Sequence, residues 1–204
     1  MEASAYTLAR QPEVINSLRE GFFINQLRRE NPDLVRAIFA EDSCLIWQGR
    51  IADPPILNYF RNVIGLVTHF LDHGGVAVFD PQMLKWWSAA QWRSEVFEPA
   101  APLPRHHVVI LVSEEDDVTS WFHTRGLRKF GRPDLSIRRV PPADNAAVTD
   151  LCNRFIELQA FGALIPEGQE IRMRDLPAGL RCTHRGDEND PDFNNAHVEM
   201  VWPS

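Results

Sequence analysis

Cysteine is scarce in this chain. Cys44, Cys152 and Cys182 are the only three in 204 residues, they lie far apart, and no Cys-x-x-Cys pair occurs. That leaves no basis for a structural zinc site or a disulfide framework, and it points to reduced, mostly buried thiols. Long apolar runs are also missing. The best stretch, Val63 to Phe79, is interrupted by Thr68, His69, Asp72, His73 and glycines, so it falls short of the roughly 18 continuous apolar residues a membrane span needs. The N-terminal MEASAYTLARQPEV has no basic segment followed by an apolar run, so no signal peptide is expected. A cytoplasmic location is therefore the expectation. Neither a Gly-x-Gly-x-x-Gly turn nor a phosphate-binding P-loop is found, and no serine sits in a Gly-x-Ser-x-Gly frame. No cofactor is implied, and no catalytic signature is legible.

A surplus of positive charge is the next absence. Lys and Arg total 21 against 28 Asp and Glu, a net charge of −7. Such a chain is repelled by DNA and by anionic membranes. The distribution is uneven, however. HTRGLRKFGRPDLSIRR, His123 to Arg139, carries Arg125, Arg128, Lys129, Arg132, Arg138 and Arg139 against Asp134 alone, a local +5 that leaves −12 for the rest. Within this segment Thr124 is placed to cap a short helical turn through Leu127 and Phe130. Gly131 fits the left-handed position after it, and Pro133 fits the exit. Leu127 and Phe130 would face the core, with Arg125, Arg128, Lys129 and Arg132 facing outward, paired with acidic residues elsewhere on the same chain in preference to forming an anion-binding surface.

What is present elsewhere is a mixture of helical and strand patterns of ordinary globular composition, 44% hydrophobic and 24% charged. Gln11 to Glu41 reads helical, with Val14, Leu18, Phe22 and Leu27 near one face, and Asn31-Pro32 restarts it as an N-cap and first-turn proline. SCLIWQG reads as a strand. Pro54-Pro55 opens a helix with Leu57, Phe60, Ile64, Val67 and Leu71 in phase, ended by Gly74-Gly75. VAVFD reads as a strand, and Asp80-Pro81 is expected to start a helix carrying Trp86, Trp87 and Trp92. EPAAPLP, residues 98–104, is a proline-rich connection between a helical N-terminal part and a β-rich C-terminal part. HHVVILV and VTSWFH flank a polar turn and read as a hairpin, followed by the strand LSIRRV. Asp144 to Phe161 is a long helix with Val148, Leu151, Phe155, Ile156 and Leu158 apolar. QEIRMRD, LRCTHR and AHVEMVW read as closing strands. Short turns between adjacent strands favour an α+β fold, a single domain with a largely antiparallel mixed sheet covered by helices.

HTRGLRKFGRPDLSI, with GGVAVFDP upstream, resembles a motif of a bacterial family of uncharacterised proteins. There a Thr-x-Gly-Leu or Thr-x-Gly-Met pair precedes Gly-x-Pro-Glu-Leu and a strand. The matching positions are Thr124, Gly126, Leu127, Gly131, Pro133, Asp134 and Leu135, and Asp134 stands where the family has glutamate. The resemblance implies the α+β class and a bacterial setting, and it supplies no catalytic residues.

Two constellations invite a metal. His69 and His73 in HFLDH share a helix face, like a zinc pair, but the carboxylate between them is the short Asp72 and Gly74 follows at once. The competing role is a histidine suited to a helix C-terminus. Asp190, Asp192 and Asn194 have calcium-loop spacing, but Asn195 and Val201 stand where glycine and glutamate are required. Neither supports a metal, and His69 and His73 remain the weak candidates. The expected function is a non-catalytic binding module that takes a protein partner or a small anionic ligand, through Arg125, Arg128, Lys129 and Arg132 with Trp121 and His123. The alternative is a small hydrolase using His69 and His73 or the basic 125–132 segment.

Overall fold

The computed structural model describes residues 2–50 and 56–203. It is α+β. The chain divides into two compact units, one from the described residues of Met1–Pro54 and Asn58–Ala100, the other from those of Pro55–Leu57 and Ala101–Ser204. The division falls inside the proline-rich 98–104 stretch.

The first unit opens with β1 (Glu2–Thr7), whose short polar sequence gives little strand signal. It pairs antiparallel with β2 (Ser43–Gln48), the strand legible as SCLIWQG. Between them the helical stretch breaks into α1 (Pro12–Arg19), α2 (Phe22–Glu30) and α3 (Pro32–Ala40). Gly21, with φ 91°, makes the first break. Asn31 makes the second: its side chain accepts from the Leu34 N–H at 3.0 Å, and Pro32 follows in the first turn. Ile24, Leu27, Leu34, Val35 and Ile38 form the core of this unit, with Val76, Ala77 and Trp86 against them. Phe22, read as inward from its spacing, is instead exposed, because the break at Gly21 resets the helical phase.

Helix α4 (Asn58–Asp72) buries Val67 and Leu71. Its expected Pro54-Pro55 opening lies outside the described residues. β3 (Ala77–Asp80) follows, but no helix starts at Asp80-Pro81. The Asp80 carboxylate does accept from the N–H groups of Gln82 and Met83, at 2.9 and 3.3 Å. The chain then turns back through Leu84, at φ 59°, into β4 (Lys85–Ser88). Cap and turn chemistry are alike at Asp-Pro, and cross-strand packing decides between them. Phe79 lies opposite Trp86 with ring centroids 4.8 Å apart, and Trp87 on the other face is fully buried. Only Trp92 is helical, in α5 (Ala89–Trp92), where its indole N–H donates to Thr68 Oγ1 at 2.9 Å.

The second unit is built on a five-stranded mixed sheet of order β5-β6-β7-β9-β8. β5 (Val109–Glu114) and β6 (Ser120–Arg125) form the expected hairpin. β5 does not begin at His106-His107, because Pro104 starts a 3-10 turn over Pro104–His107. β7 (Asp134–Val140) is antiparallel to β6, and α6 (Asn145–Ala160) then crosses back so that β9 (His197–Val201) lies parallel to β7. β8 (Thr183–Arg185) is all that LRCTHR contributes. QEIRMRD is not a strand, and a single bridge, Glu170 to Arg181, holds it to the segment before β8. One sheet face carries Phe122, Ile137 and Met200, aligned across three strands and buried. Helix α6 packs on β7 and buries Val148, Leu151, Cys152, Phe155 and Ile156. Leu158, counted among its apolar residues, is exposed instead.

Candidate functional site

The basic segment runs along β6, through a 3-10 turn at Leu127–Phe130, and into β7. Leu127 and Phe130 are buried as their spacing predicts, and Gly131 is left-handed with φ 68°. Thr124 does not cap the turn. It belongs to β6, and its hydroxyl donates to Asp134 Oδ1 at 2.9 Å while accepting from the Leu135 N–H at 2.8 Å. The same Asp134 oxygen accepts from the Leu127 N–H at 3.2 Å, and the Asn195 amide donates to Oδ2 at 2.8 Å. Asp134 is 1% exposed. Burial pushes its pKa up to about 6, against the three hydrogen bonds that favour the charged form. The start of this turn therefore holds the chain's own carboxylate.

The arginines turn toward their own chain. Arg125 donates to the Asp192 carbonyl at 2.7 Å. Arg128 donates to the Glu188 carbonyl at 2.9 Å and to the Asn194 side chain at 3.0 Å, and its guanidinium lies 3.8 Å from the Glu188 carboxylate. Both contacts clamp the acidic loop 186–195 onto the segment. Arg132, expected to face outward, is 7% exposed and donates to the carbonyls of Gly131 and Gly162, at 2.9 and 3.5 Å. Its long stem lies inside because Pro133 and Gly131 turn the chain there. Lys129 is half-buried. Arg138 pairs with Glu115 and Glu199, at 3.2 and 3.4 Å.

Trp121 and His123 alternate with buried Phe122 on β6, so they share the other sheet face. Arg138 lies over the Trp121 ring at 4.4 Å, Trp121 stacks on His123 at 4.1 Å, Phe193 meets His123 edge-on at 5.8 Å, and Phe193 stacks on His197 at 4.1 Å. The Trp121 indole donates to Ser136 Oγ at 2.9 Å. Within this stack burial lowers the His123 pKa to about 4, helped by the charges of Arg125 and Arg138. Burial lowers that of His197 as well, against Asp190 3.8 Å away. Both imidazoles are therefore neutral near pH 7. Beside them a shallow groove of about 570 Å³ is lined by Pro133, His184, Arg185, Gly186, Ala196 and His197.

In the sequence Asp134 stands out as the one acid of the basic segment and as a motif position, and neither marks it as the buried centre of this network. Asn195, Phe193 and His197 escaped notice as partners, because 61 residues separate Asn195 from Asp134 and nothing local marks the pair.

His69 and His73 lie at the exposed end of α4, in the first unit, with rings 4.1 Å apart. His73 Nδ1 is hydrogen-bonded with the His69 carbonyl at 2.7 Å, and Asp72 is ion-paired with Arg93. In the loop 186–195 the Asp187 and Asp190 carboxylates accept from backbone N–H groups within the loop. Among the described residues no group of three or more His, Cys, Asp or Glu is placed to hold a metal ion. No described helix is long and apolar enough to cross a membrane.

Comparison with family models, with curated proteins and with solved structures finds no match for this chain.

Proposed function

We propose that this chain is a non-catalytic interaction module whose partner is a protein, bound at the C-terminal end of α6. What carries this is a reversal at the surface of the second unit: the basic side chains turn inward and large apolar ones turn outward. Leu158, Phe161 and Leu164 are 58%, 61% and 76% exposed. Leu158 and Phe161 are neighbours one turn apart. The helix ends in a Schellman turn, with Ala163 N–H donating to the Leu158 carbonyl at 3.0 Å and Gly162 N–H to that of Gln159 at 2.9 Å. Leu164 follows immediately.

The charges around these residues are closed on each other. Arg105 pairs with Glu157 at 2.7 Å and Arg154 with Asp150 at 2.9 Å. An apolar centre with an electrically neutral rim suits an apolar protein surface, not an anion. Arg125 and Arg128, the groups best suited to an anionic ligand, already donate to loop carbonyls. The three free cysteines accord with a reducing cytoplasmic setting, and the Thr124–Leu135 motif with a bacterial one.

The test compares wild type with Phe161→Glu/Leu164→Glu. A protein captured by the wild type, identified, purified and bound again in isolation should lose its binding to the double variant. Retained binding would overturn the assignment, and self-association lost in the variant would assign the patch to a second copy. Phosphate or acidic-peptide binding abolished by Arg125→Ala/Arg128→Ala would favour the anionic ligand instead.

A further inference from the structure

Loop 186–195, between β8 and β9, carries Asp187, Glu188, Asp190 and Asp192 and no lysine or arginine. It lies on the basic segment and sets these four carboxylates against that segment's +5. The loop is largely folded on itself. The Asp190 and Asn194 N–H groups donate to the Asp187 and Asp190 carbonyls, and Asp190 Oδ1 accepts from the N–H groups of Asp192 and Phe193. Left-handed residues stand near its two ends, Gly186 at φ 64° and Asn194 at φ 53°. Its hold on the sheet is narrow. Arg125 and Arg128 grip its carbonyls, and the Phe193 ring sits against His123 and His197. Asn195, bonded to Asp134 and to the Arg132 carbonyl, anchors the chain just beyond Asn194.

That cover fits imperfectly. Beneath it His123 Nδ1, His197 Nδ1 and Arg125 Nε are shut off from solvent, and none has a hydrogen-bond partner among the described residues. His123 and His197 are 7% and 9% exposed. A buried polar atom left unpaired loses its hydration and receives nothing in return, so lifting the loop gives three such atoms back to water. The arginines are under-used as well. Their direct bonds go to uncharged groups, the Asp192 and Glu188 carbonyls and Asn194, and the Glu188 carboxylate stands 3.8 Å from Arg128. A guanidinium bonded bidentate to a carboxylate is held more strongly than one bonded to a carbonyl.

We propose that the surface beneath this loop is a second protein-binding surface, built of Trp121, His123, Arg125, Arg128 and His197. It takes an acidic segment with an aromatic anchor, and the chain's own loop closes it as a tethered stand-in. The loop defines the occupant's chemistry. One ring lies against the two imidazoles, and carbonyls flanked by carboxylates meet the two guanidinium groups. A foreign segment with carboxylates placed on Arg125 and Arg128 repeats the ring contact and improves the polar ones. The tether opposes it, because a loop joined at both ends competes at an effective concentration on the order of millimolar. The surface is therefore closed to weak acidic ligands while the loop holds, and opens to them when its grip is loosened. It draws on none of the Leu158, Phe161 and Leu164 side chains.

Fluorescence anisotropy of a labelled peptide, GDENDPDFNN, with the full chain at low ionic strength tests this. Phe193→Ala removes the loop's own anchor and should bind the peptide at least about tenfold more tightly than the wild type. Glu188→Gln/Asp192→Asn should shift binding in the same direction, and it decides alone where Phe193→Ala does not fold. A scrambled peptide that keeps phenylalanine between acidic residues should bind comparably, since the contacts go to backbone carbonyls and a ring. Adding Arg125→Ala/Arg128→Ala to the loosened chain should abolish binding, and adding Phe161→Glu/Leu164→Glu should leave it unchanged. No gain on loosening the loop would overturn the proposal. So would refusal of the scrambled peptide, or binding that survives loss of the arginines or depends on Phe161 and Leu164. Equally tight binding by the wild type would also overturn it, because the loop would then close nothing.

Discussion

The side-chain amide of Asn195 donates to the Asp134 carboxylate at 2.8 Å and, through the same nitrogen, to the Arg132 carbonyl at 2.9 Å. One buried amide thus ties the loop before β9 to the start of β7. Each donor around Asp134 points at an acceptor, so the carboxylate is fully satisfied. Asp134→Asn turns one of those acceptors into an NH2 group facing another donor. It should destabilise the fold by about 1–3 kcal/mol, read as a lower urea midpoint. An unchanged midpoint would mean the network carries no net stability.

His123 sets a pH dependence. Its folded pKa, about 4, lies below the ordinary histidine value. The unfolded chain therefore takes up the proton first as pH falls. Stability from this group is complete above about pH 6.5 and declines toward pH 4. Asp134, raised to about 6, works in the opposite sense: its contribution falls as pH rises from about 4 toward 6. Comparing each variant with the wild type separates the two. His123→Phe should lose less of its melting temperature than the wild type between pH 7 and pH 5. Parallel pH profiles would show that His123 does not titrate as its burial requires.

Two glycines of the basic turn differ in cost. Gly131 needs a left-handed backbone, so Gly131→Ala should cost roughly 1 kcal/mol. Gly126 has φ 122°, and a Cβ there would lie 2.4 Å from the His107 carbonyl oxygen. Backbone cannot yield as a side chain can, so Gly126→Ala should cost clearly more, about 2–4 kcal/mol in all. Denaturation midpoints in the reverse order would show the turn to be more pliant at Gly126 than its packing implies.

Arg128 reaches the loop at the Glu188 carbonyl and the Asn194 side chain. Arg128→Ala should speed amide hydrogen exchange at residues 187–195 and leave α6 protected as before. Equal exchange in both proteins would mean that Phe193, stacked on His197, holds the loop without the arginine.

Much of the fold was legible because its causes are local. Asn31-Pro32 carries its cap and its proline together, and Gly131 before Pro133 can only end a turn. The β5–β6 hairpin shows as two β-rich runs around acidic residues. Where two local outcomes share one chemistry, tertiary contacts chose. Asp80-Pro81 serves a helix start or a turn equally, and the packing of Phe79 on Trp86 made it a hairpin. Charge was legible as a sum, and engagement of the arginines within their own chain was the stronger expectation, but the partners were not legible: Arg125, Arg128 and Arg132 reach carbonyls of Asp192, Glu188 and Gly162, which lie far along the sequence. By itself the sequence determined the α+β class, the helix breaks and the basic segment, because propensity, capping and net charge act over a few residues. Only the tertiary structure decided that Asp134 meets Thr124 and Asn195 and that the arginines clamp a loop. It likewise left Leu158 and Phe161 exposed, since burial and partnership are set by segments far apart along the chain.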